Sequence, residues 1–459
     1  MPEAASARGR ALSGWAGLAL VVAPAAARAS VFDTYGFGAR GAAMAGAQTA
    51  AAEDFSAVYY NPAALTVHKH PHVGTALTLV APSCSLERDA SGLAPSGLTR
   101  GTPSPAAGPA PATETPDPNL GITLGLLFPL GGKIQNKFAL GIGLYLPTIQ
   151  VTRVDALDAA TPQWYRYEAL PDKIVIVPGL AYEIVPMLSV GLGMQVLGSL
   201  NGAADVDLDL LSQRFTRKNL KVDVDTATGL TAGLLFRPTD TLRFGFSYRN
   251  ALALDYHLRT DIRIQEVGHL VADISGTSLF TPTQYTWGAA WQPLGEAGGL
   301  TVAADVLWAR WSQAPDPTAH FDVTLDGNEL NQGSLEARSG RVDLGAVDTV
   351  SPRLGVEYQP TADWALRAGY QLSPTPLPAQ TGRTNYIDST AHQLGLGAGY
   401  SFADPLEIHD SPLTIDLSAQ WTHLQDRKMR KSSPTDPLGD YTAGGELLSF
   451  NLTLRHDFR

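Results

Sequence analysis

Residues 188–196 read Leu-Ser-Val-Gly-Leu-Gly-Met-Gln-Val. Leu188, Val190, Leu192, Met194 and Val196 are apolar; Ser189, Gly191, Gly193 and Gln195 between them are small or polar. Side chains of a strand alternate between its two faces, so this is a strand with one greasy face. The pattern returns at 364–371, 393–402, 413–421 and 448–455. The polar faces carry Arg243, Arg249, Asp305, Arg353, Glu357, Arg367, Asp416 and Arg455, and the apolar faces often end in Trp, Tyr or Phe. A soluble sandwich turns its apolar face inward, whereas a membrane barrel turns it out to lipid and keeps a polar lumen. Periodicity alone leaves both open.

Strand number and loop pattern decide. About fourteen such segments start near residues 72, 119, 137, 172, 187, 226, 240, 283, 299, 350, 363, 391, 411 and 446. Short turns fall near 131–136, 185–186, 237–240, 293–298 and 359–362. Long connections cover 82–118, 152–171, 203–225, 258–281, 312–349, 373–390 and 425–445. Short and long in turn is the pattern of an outer-membrane barrel, with tight periplasmic turns and long extracellular loops. Ile184 to Ala204 carries no charge and has the length of a membrane helix, but Pro186 and its alternating polar residues favour strands. The Pro/Ala-rich segment 95–118 reads as low-complexity loop.

The N-terminus and the composition agree. Arg8 and Arg10, the apolar run 11–23 and Ala27-Arg28-Ala29 read as a signal peptide over 1–29, which sends the chain toward a bacterial outer membrane. Charged residues are 17% of the chain, below the usual share for a soluble domain, and net charge is −11, which argues against nucleic acid. A single cysteine excludes a disulfide scaffold. The expected fold is thus all-β, a transmembrane antiparallel barrel over 71–459.

Residues 30–70 break the pattern. They are rich in Ala and Gly and read as a small, partly helical plug inside the barrel. The stretch SVFDTYGFGARGAAMAGAQTAAAEDFSAVYYNPAAL (30–65) resembles the hatch of the FadL/TodX family of outer-membrane transporters, chiefly through GARGAAMAG (38–46) and Asn61-Pro62-Ala63. TVAADVLWARWSQ (301–313), DWALRAGYQLSPTPLPAQ (363–380) and STAHQLGLGAGYSF (389–402) are similar to later strands and a loop of that family.

The resemblance implies passive transport of hydrophobic molecules, long-chain fatty acids first and aromatic hydrocarbons next. The implied route runs from a loop groove to an internal hatch-gated pocket, then out sideways. Val31 and Phe32 stand where the family's hatch meets ligand, and Asn61, Pro62 and Ala63 stand where the hatch is anchored. Leu270, Val271, Ile274, Leu279 and Phe280 in the 258–281 connection are candidates for the entry groove. Arg217, Lys218, Arg259 and Arg263 lie in matching loops and read as solvated. Gly141, Gly143 and Pro147 could kink the third strand, or the glycines could simply leave a smooth lumen wall. The expected partners are hydrophobic small molecules, outer-membrane lipid and the barrel assembly machinery, although Arg459 follows the usual aromatic end, Phe458. The chain is expected to act as a monomer.

Other chemistries find little support. His68, His70 and His72 would share one face of a strand, but no carboxylate or Cys lies near them in sequence, so no metal is expected. Neither a G-x-S-x-G, an H-E-x-x-H nor a P-loop motif occurs, so neither an enzyme nor a cofactor is expected. The alternative is a non-transporting barrel that serves as scaffold or shuttle for secreted proteins.

Overall fold

Strand pairing closes on itself. In this computed structural model, which describes residues 31–89, 116, 118–130, 137–148, 162–167, 174–209, 214–264, 268–294, 299–318, 320–326, 334–405, 411–432 and 438–458, fourteen strands form one wall. They are β1 (His72–Arg88), β2 (Asn119–Pro129), β3 (Phe138–Pro147), β5 (Val175–Val185), β6 (Leu188–Asp209), β7 (Arg214–Thr239), β8 (Leu242–Arg249), β11 (Gln284–Trp291), β12 (Leu300–Ala309), β15 (Thr349–Tyr358), β16 (Trp364–Ser373), β18 (Ala391–Phe402), β19 (Leu413–Met429) and β20 (Tyr441–Asp457). Each pairs antiparallel with the next along the wall, and β20 pairs with β1 through seventeen residues, from His72↔Asp457 to Arg88↔Tyr441. Closure leaves no strand edge unpaired in lipid. The expected signal peptide 1–29 and nearly all of 95–118 lie outside the described residues.

The alternation sorts as a membrane barrel demands. Leu192, Leu230 and Leu396 are exposed to 60%, 64% and 66%, on the outer face. Trp291, Tyr358, Trp364 and Tyr400 ring the barrel beside the short turns, as an interfacial girdle. The charged residues of the polar faces, Asp305, Arg353, Glu357, Arg367 and Asp416 among them, are buried in the lumen.

Several expected loops are strands. β6 runs on to Asp209 and β7 begins at Arg214, so most of the expected connection 203–225 is paired strand. The expected connection 258–281 is mostly a hairpin of β9 (Leu252–Ile264) and β10 (Gly268–Thr281), and β9 also pairs in parallel with β6. β13 (His320–Asp326) and β14 (Ser334–Arg338) form a further hairpin against β10. Two short strands, β4 (Gln163–Trp164) and β17 (Tyr386–Ile387), pair in parallel as a separate two-stranded sheet whose side chains are fully buried.

The third strand pairs with β2 from Ala139 to Pro147 and with β5 from Phe138 to Tyr145, both without a register shift. A lapse in pairing lies one strand further on. Between Ile176↔Val196 and Gly179↔Gly193 the β5–β6 ladder skips Val177 and Pro178. Proline has no N–H to give a ladder.

The N-terminal segment sits inside the barrel. It comprises α1 (Val31–Tyr35), α2 (Ala39–Ala43), α3 (Ala57–Tyr60) and a 3-10 turn at Pro62–Thr66. Ala and Gly let these short elements pack with almost no solvent-exposed surface. Gly36, at φ +81°, makes the sharp turn between α1 and α2, where any Cβ would lie 2.8 Å from the Ala42 backbone.

Candidate functional site

The hatch is held by charge. Arg40 on α2 donates to Glu357 through Nε at 2.8 Å and Nη2 at 3.0 Å, and to the Ala51 carbonyl at 2.8 Å. Glu357 also accepts from Arg367 at 2.5 Å, Arg367 donates to Asp416 at 2.6 Å, and Arg455 donates to Asp416 at 2.5 Å. Three arginines and two carboxylates thus alternate from hatch to wall. Asp305 accepts from the Gln48 and Thr49 backbone N–H groups at 3.0 and 2.9 Å, and Arg243 pairs with Glu53. Asn61 donates to the Thr49 carbonyl at 2.7 Å and to the Leu234 carbonyl of β7 at 3.0 Å. Pro62 and Ala63 lie directly over Gly191, and Asn61 lies over Gly233.

Small lumenal residues form the seat. A Cβ on Gly141 would meet Val58 and Leu65 of the hatch at 2.4 and 2.7 Å, and one on Gly143 would meet Phe37 at 2.6 Å. These glycines make room for the hatch.

The hatch N-terminus lines a cavity. Phe32 is buried edge-on against Phe37, Tyr59 and the β3 residue Tyr145, with ring centroids 4.6, 4.9 and 5.5 Å away. Val31 lies at the start of α1. Asp33, which the sequence reading passed over, accepts from Tyr59 at 2.8 Å and Gln284 at 2.7 Å and pairs with Arg249 at 3.3 Å. Burial would raise its carboxyl, but Arg249, then Arg353, and the Gln284 and Tyr59 hydrogen bonds outweigh it and hold the pKa below its ordinary 3.8. A depressed carboxylate stabilises above its unfolded value and stops doing so as pH falls through the folded value. Docking of α1 should therefore be unchanged from pH 7 to 5 and weaken only below about pH 4, read as deuterium uptake over 31–37. Loss of protection already at pH 5 would contradict that assignment.

Beside Asp33 lies a small cavity of about 60 Å³. Its polar side holds Arg353 and Gln371, and Tyr167, Leu307 and Trp311 give it an apolar side. The β4 turn closes over it. Arg166 donates to Asp388 at 2.7 Å, to Ser373 at 2.8 Å and to the Ser389 carbonyl at 2.8 Å.

The five candidate groove residues do not form one surface. Leu279 and Phe280 turn inward to the main core, where Phe280 lies 6.1 Å from Trp311. Ile274 packs apart from them with Tyr256 and Leu258. Leu270 and Val271 are half-buried opposite β13, and Val271 borders a polar surface pocket with Arg259, Asp273 and Arg338. Of the loop cations, Arg259 is exposed; the side chains of Arg217, Lys218 and Arg263 fall outside the described set.

The histidines do meet a carboxylate, contrary to expectation. Asp457, at the far end of the chain, lies 3.2 Å from His68 and 2.5 Å from His72, because closure of the barrel brings β20 beside β1. His70 is exposed, its ring centroid 6.2 Å from that of His68.

Known proteins share this build. A family model described as outer membrane protein transport protein (OMPP1/FadL/TodX) matches residues 18–455. Alkane uptake protein A of Marinobacter nauticus is 23% identical over 420 residues, covering 87% of this chain and 85% of that protein. The crystal structure of a Pseudomonas aeruginosa FadL homologue is similar at a TM-score of 0.59 and 16% identity, over 92% of this chain and 98% of that one. The P. putida toluene transporter TodX follows at 0.55 and 16%, over 93% and 99%. At such identities these two speak for the fold alone. The family match, by contrast, spans nearly the whole chain, and the chain belongs to the OMPP1/FadL/TodX family of outer-membrane transporters of hydrophobic compounds.

Proposed function

We propose that the substrate is a long-chain fatty acid whose carboxylate is met by Arg353 and whose tail lies against Tyr167, Leu307 and Trp311. One observation carries this reading. Arg353 is only 4% exposed, yet its Nε has no hydrogen-bond partner among the described residues. Its other contacts are long, 3.5 Å to the Gly46 carbonyl and 3.9 Å to an Asp33 already engaged by Arg249. A buried guanidinium with donors to spare suits a carboxylate, which it binds in a forked geometry. A neutral hydrocarbon needs no such group. Each tail CH₂ that enters the apolar side adds about 0.8 kcal/mol, so no energy source is required.

In this reading Leu279 and Phe280 receive the ligand from the loops, with Leu270, Val271 and Ile274 further out. Val31 and Phe32 are assigned to meet ligand from the hatch N-terminus, and Asn61, Pro62 and Ala63 to anchor the hatch. A sideways exit in this reading would lie at Val177 and Pro178, and what supports it is that the ladder lapses there and Gly179 faces Leu65 and Pro62 of the hatch.

The test is mass spectrometry of lipophiles from the detergent-purified protein, beside an unrelated barrel. Fatty acids should be enriched, and Arg353→Met should weaken palmitate binding about tenfold to a hundredfold, the loss of a charge-assisted hydrogen bond, with hexadecane binding unchanged. The Marinobacter relative favours a second reading, alkane uptake. It would take over if alkanes were enriched and Arg353→Met left binding intact. Enrichment of no lipophile would point to the scaffold role.

A further inference from the structure

We infer that His68, His72 and Asp457 form a divalent transition-metal site, of the zinc class, that staples the chain leaving the hatch to the last barrel strand. One ligand atom from each residue lies within 4.8 Å of the other two. Two imidazole nitrogens and one carboxylate oxygen, with water in the fourth position, are a donor set that suits zinc and its neighbours. In the metal-free geometry Asp457 Oδ1 faces both rings at once, at 2.5 Å from His72 Nδ1 and 3.2 Å from His68 Nε2. Small side-chain rotations would place an ion among the three atoms.

The surroundings favour a ligand over a plain hydrogen-bonded trio. His72 is 1% exposed and its ring is held by stacking on Phe55 at 5.8 Å. His68 Nε2, one of the three ligand atoms, is buried without a hydrogen-bond partner among the described residues, so the protein alone leaves this imidazole incompletely satisfied. The side chains of His68 and Asp457 are each 23% exposed, which leaves a way in for an ion from the periplasmic rim. The other histidine–carboxylate pairs, His257–Asp273, His269–Asp261 and His320–Asp316, bring one ring to one carboxylate, and each of those rings is at least a third exposed.

The position gives the site a use. His72 opens β1 opposite Asp457 in register, and Phe458 donates to the Pro71 carbonyl at 2.9 Å. His68 sits just after the 3-10 turn that ends the hatch. An ion here would tie the closing seam of the barrel and the hatch exit chain to one point. Because the ligating imidazoles must be unprotonated, binding should weaken at acid pH.

The experiment dialyses the full-length barrel in detergent against zinc chloride and measures retained metal by mass spectrometry. The wild type should keep one zinc per barrel. His68→Gln, which lies outside any strand, should bind at least tenfold more weakly, as should Asp457→Asn. His257→Gln, on the extracellular hairpin, should bind like the wild type. Cobalt in place of zinc should give the visible absorption of a low-coordinate imidazole site, absent in His68→Gln. Removing zinc with a chelator should raise deuterium uptake over 67–72 in the wild type only. Heat-dependent gel mobility verifies each fold, and if Asp457→Asn does not fold, His68→Gln decides. Equal zinc retention by wild type and His68→Gln, or none in either, overturns the site. Neither result bears on Arg353, so the inference and the substrate reading fail separately.

Discussion

Neutralising Glu357 as Glu357→Gln should release the hatch while leaving the barrel closed. Glu357 accepts from Arg40 at 2.8 and 3.0 Å and from Arg367 at 2.5 Å, and the Arg40 and Glu357 side chains are 6% and 5% exposed. Without its charge, Arg40 loses the carboxylate that holds it in a fork, and Arg367 keeps only Asp416, which it shares with Arg455. Removing one partner of a buried pair costs about 3–5 kcal/mol, because the other charge stays desolvated. Arg40 is the member that can leave, since it rides on the hatch whereas the others are fixed in strands. The other contacts that α2 makes to the wall, such as Ala39 N–H to Thr453 at 2.9 Å and Gln420 to the Ala42 carbonyl at 2.8 Å, are ordinary hydrogen bonds worth about 1 kcal/mol each, whereas the charged contacts of Asp33, Glu53 and Asp305 hold other parts of the hatch. Single-channel conductance in planar bilayers should rise several-fold, and deuterium uptake over 36–52 should increase. Unchanged conductance and protection would show that the charge chain does not hold the plug. The double variant Arg40→Leu/Glu357→Leu should recover much of the loss, because an apolar pair leaves fewer orphaned charges.

That charge chain marks the limit of what the sequence discloses. Its members on the wall are legible as the polar faces of strands, and Leu188 to Val196 shows a greasy face that only the strand number and loop pattern turn outward. The partners were not legible: Arg40 and Glu357 are 317 positions apart, and His72 and Asp457 are 385 apart. Only closure of the barrel brings them together. Periodicity failed where lipid no longer enforces it. Asp205, Asp207 and Asp209 read as loop, yet β6 continues through them because that stretch stands clear of the membrane. Two-residue strands such as Gln163–Trp164 have no period to detect. Asp33 was missed because one acid in a short Ala/Gly-rich segment carries no signal until Arg249 and Gln284 are placed beside it.

The glycines of the polar faces were visible, but their meaning was not, and they support the second large prediction. Glycines face each other across the wall in register: Gly191↔Gly233, Gly355↔Gly369 and Gly369↔Gly395. A Cβ on Gly191 would lie 2.2 Å from the Ala63 nitrogen and 2.4 Å from the Pro62 carbonyl carbon. Those are backbone atoms, so no rotamer change can relieve the clash. Gly191→Val should therefore displace the Asn61–Ala63 anchor. Overpacking of a core costs about 1–3 kcal/mol where side chains can adjust, and here the whole segment must move. The strand itself gains from the change, since Val favours β structure where Gly weakens it. The barrel should hence keep or raise its unfolding temperature while the plug loosens, a combination that general misfolding does not produce. Cells carrying Gly191→Val should become sensitive to large hydrophilic antibiotics that the plugged barrel excludes. Gly382→Val, at a position with nothing within 4 Å of the new Cβ, should behave as wild type. If Gly191→Val left both antibiotic sensitivity and conductance unchanged, the close fit of hatch to wall would not be what seals the lumen.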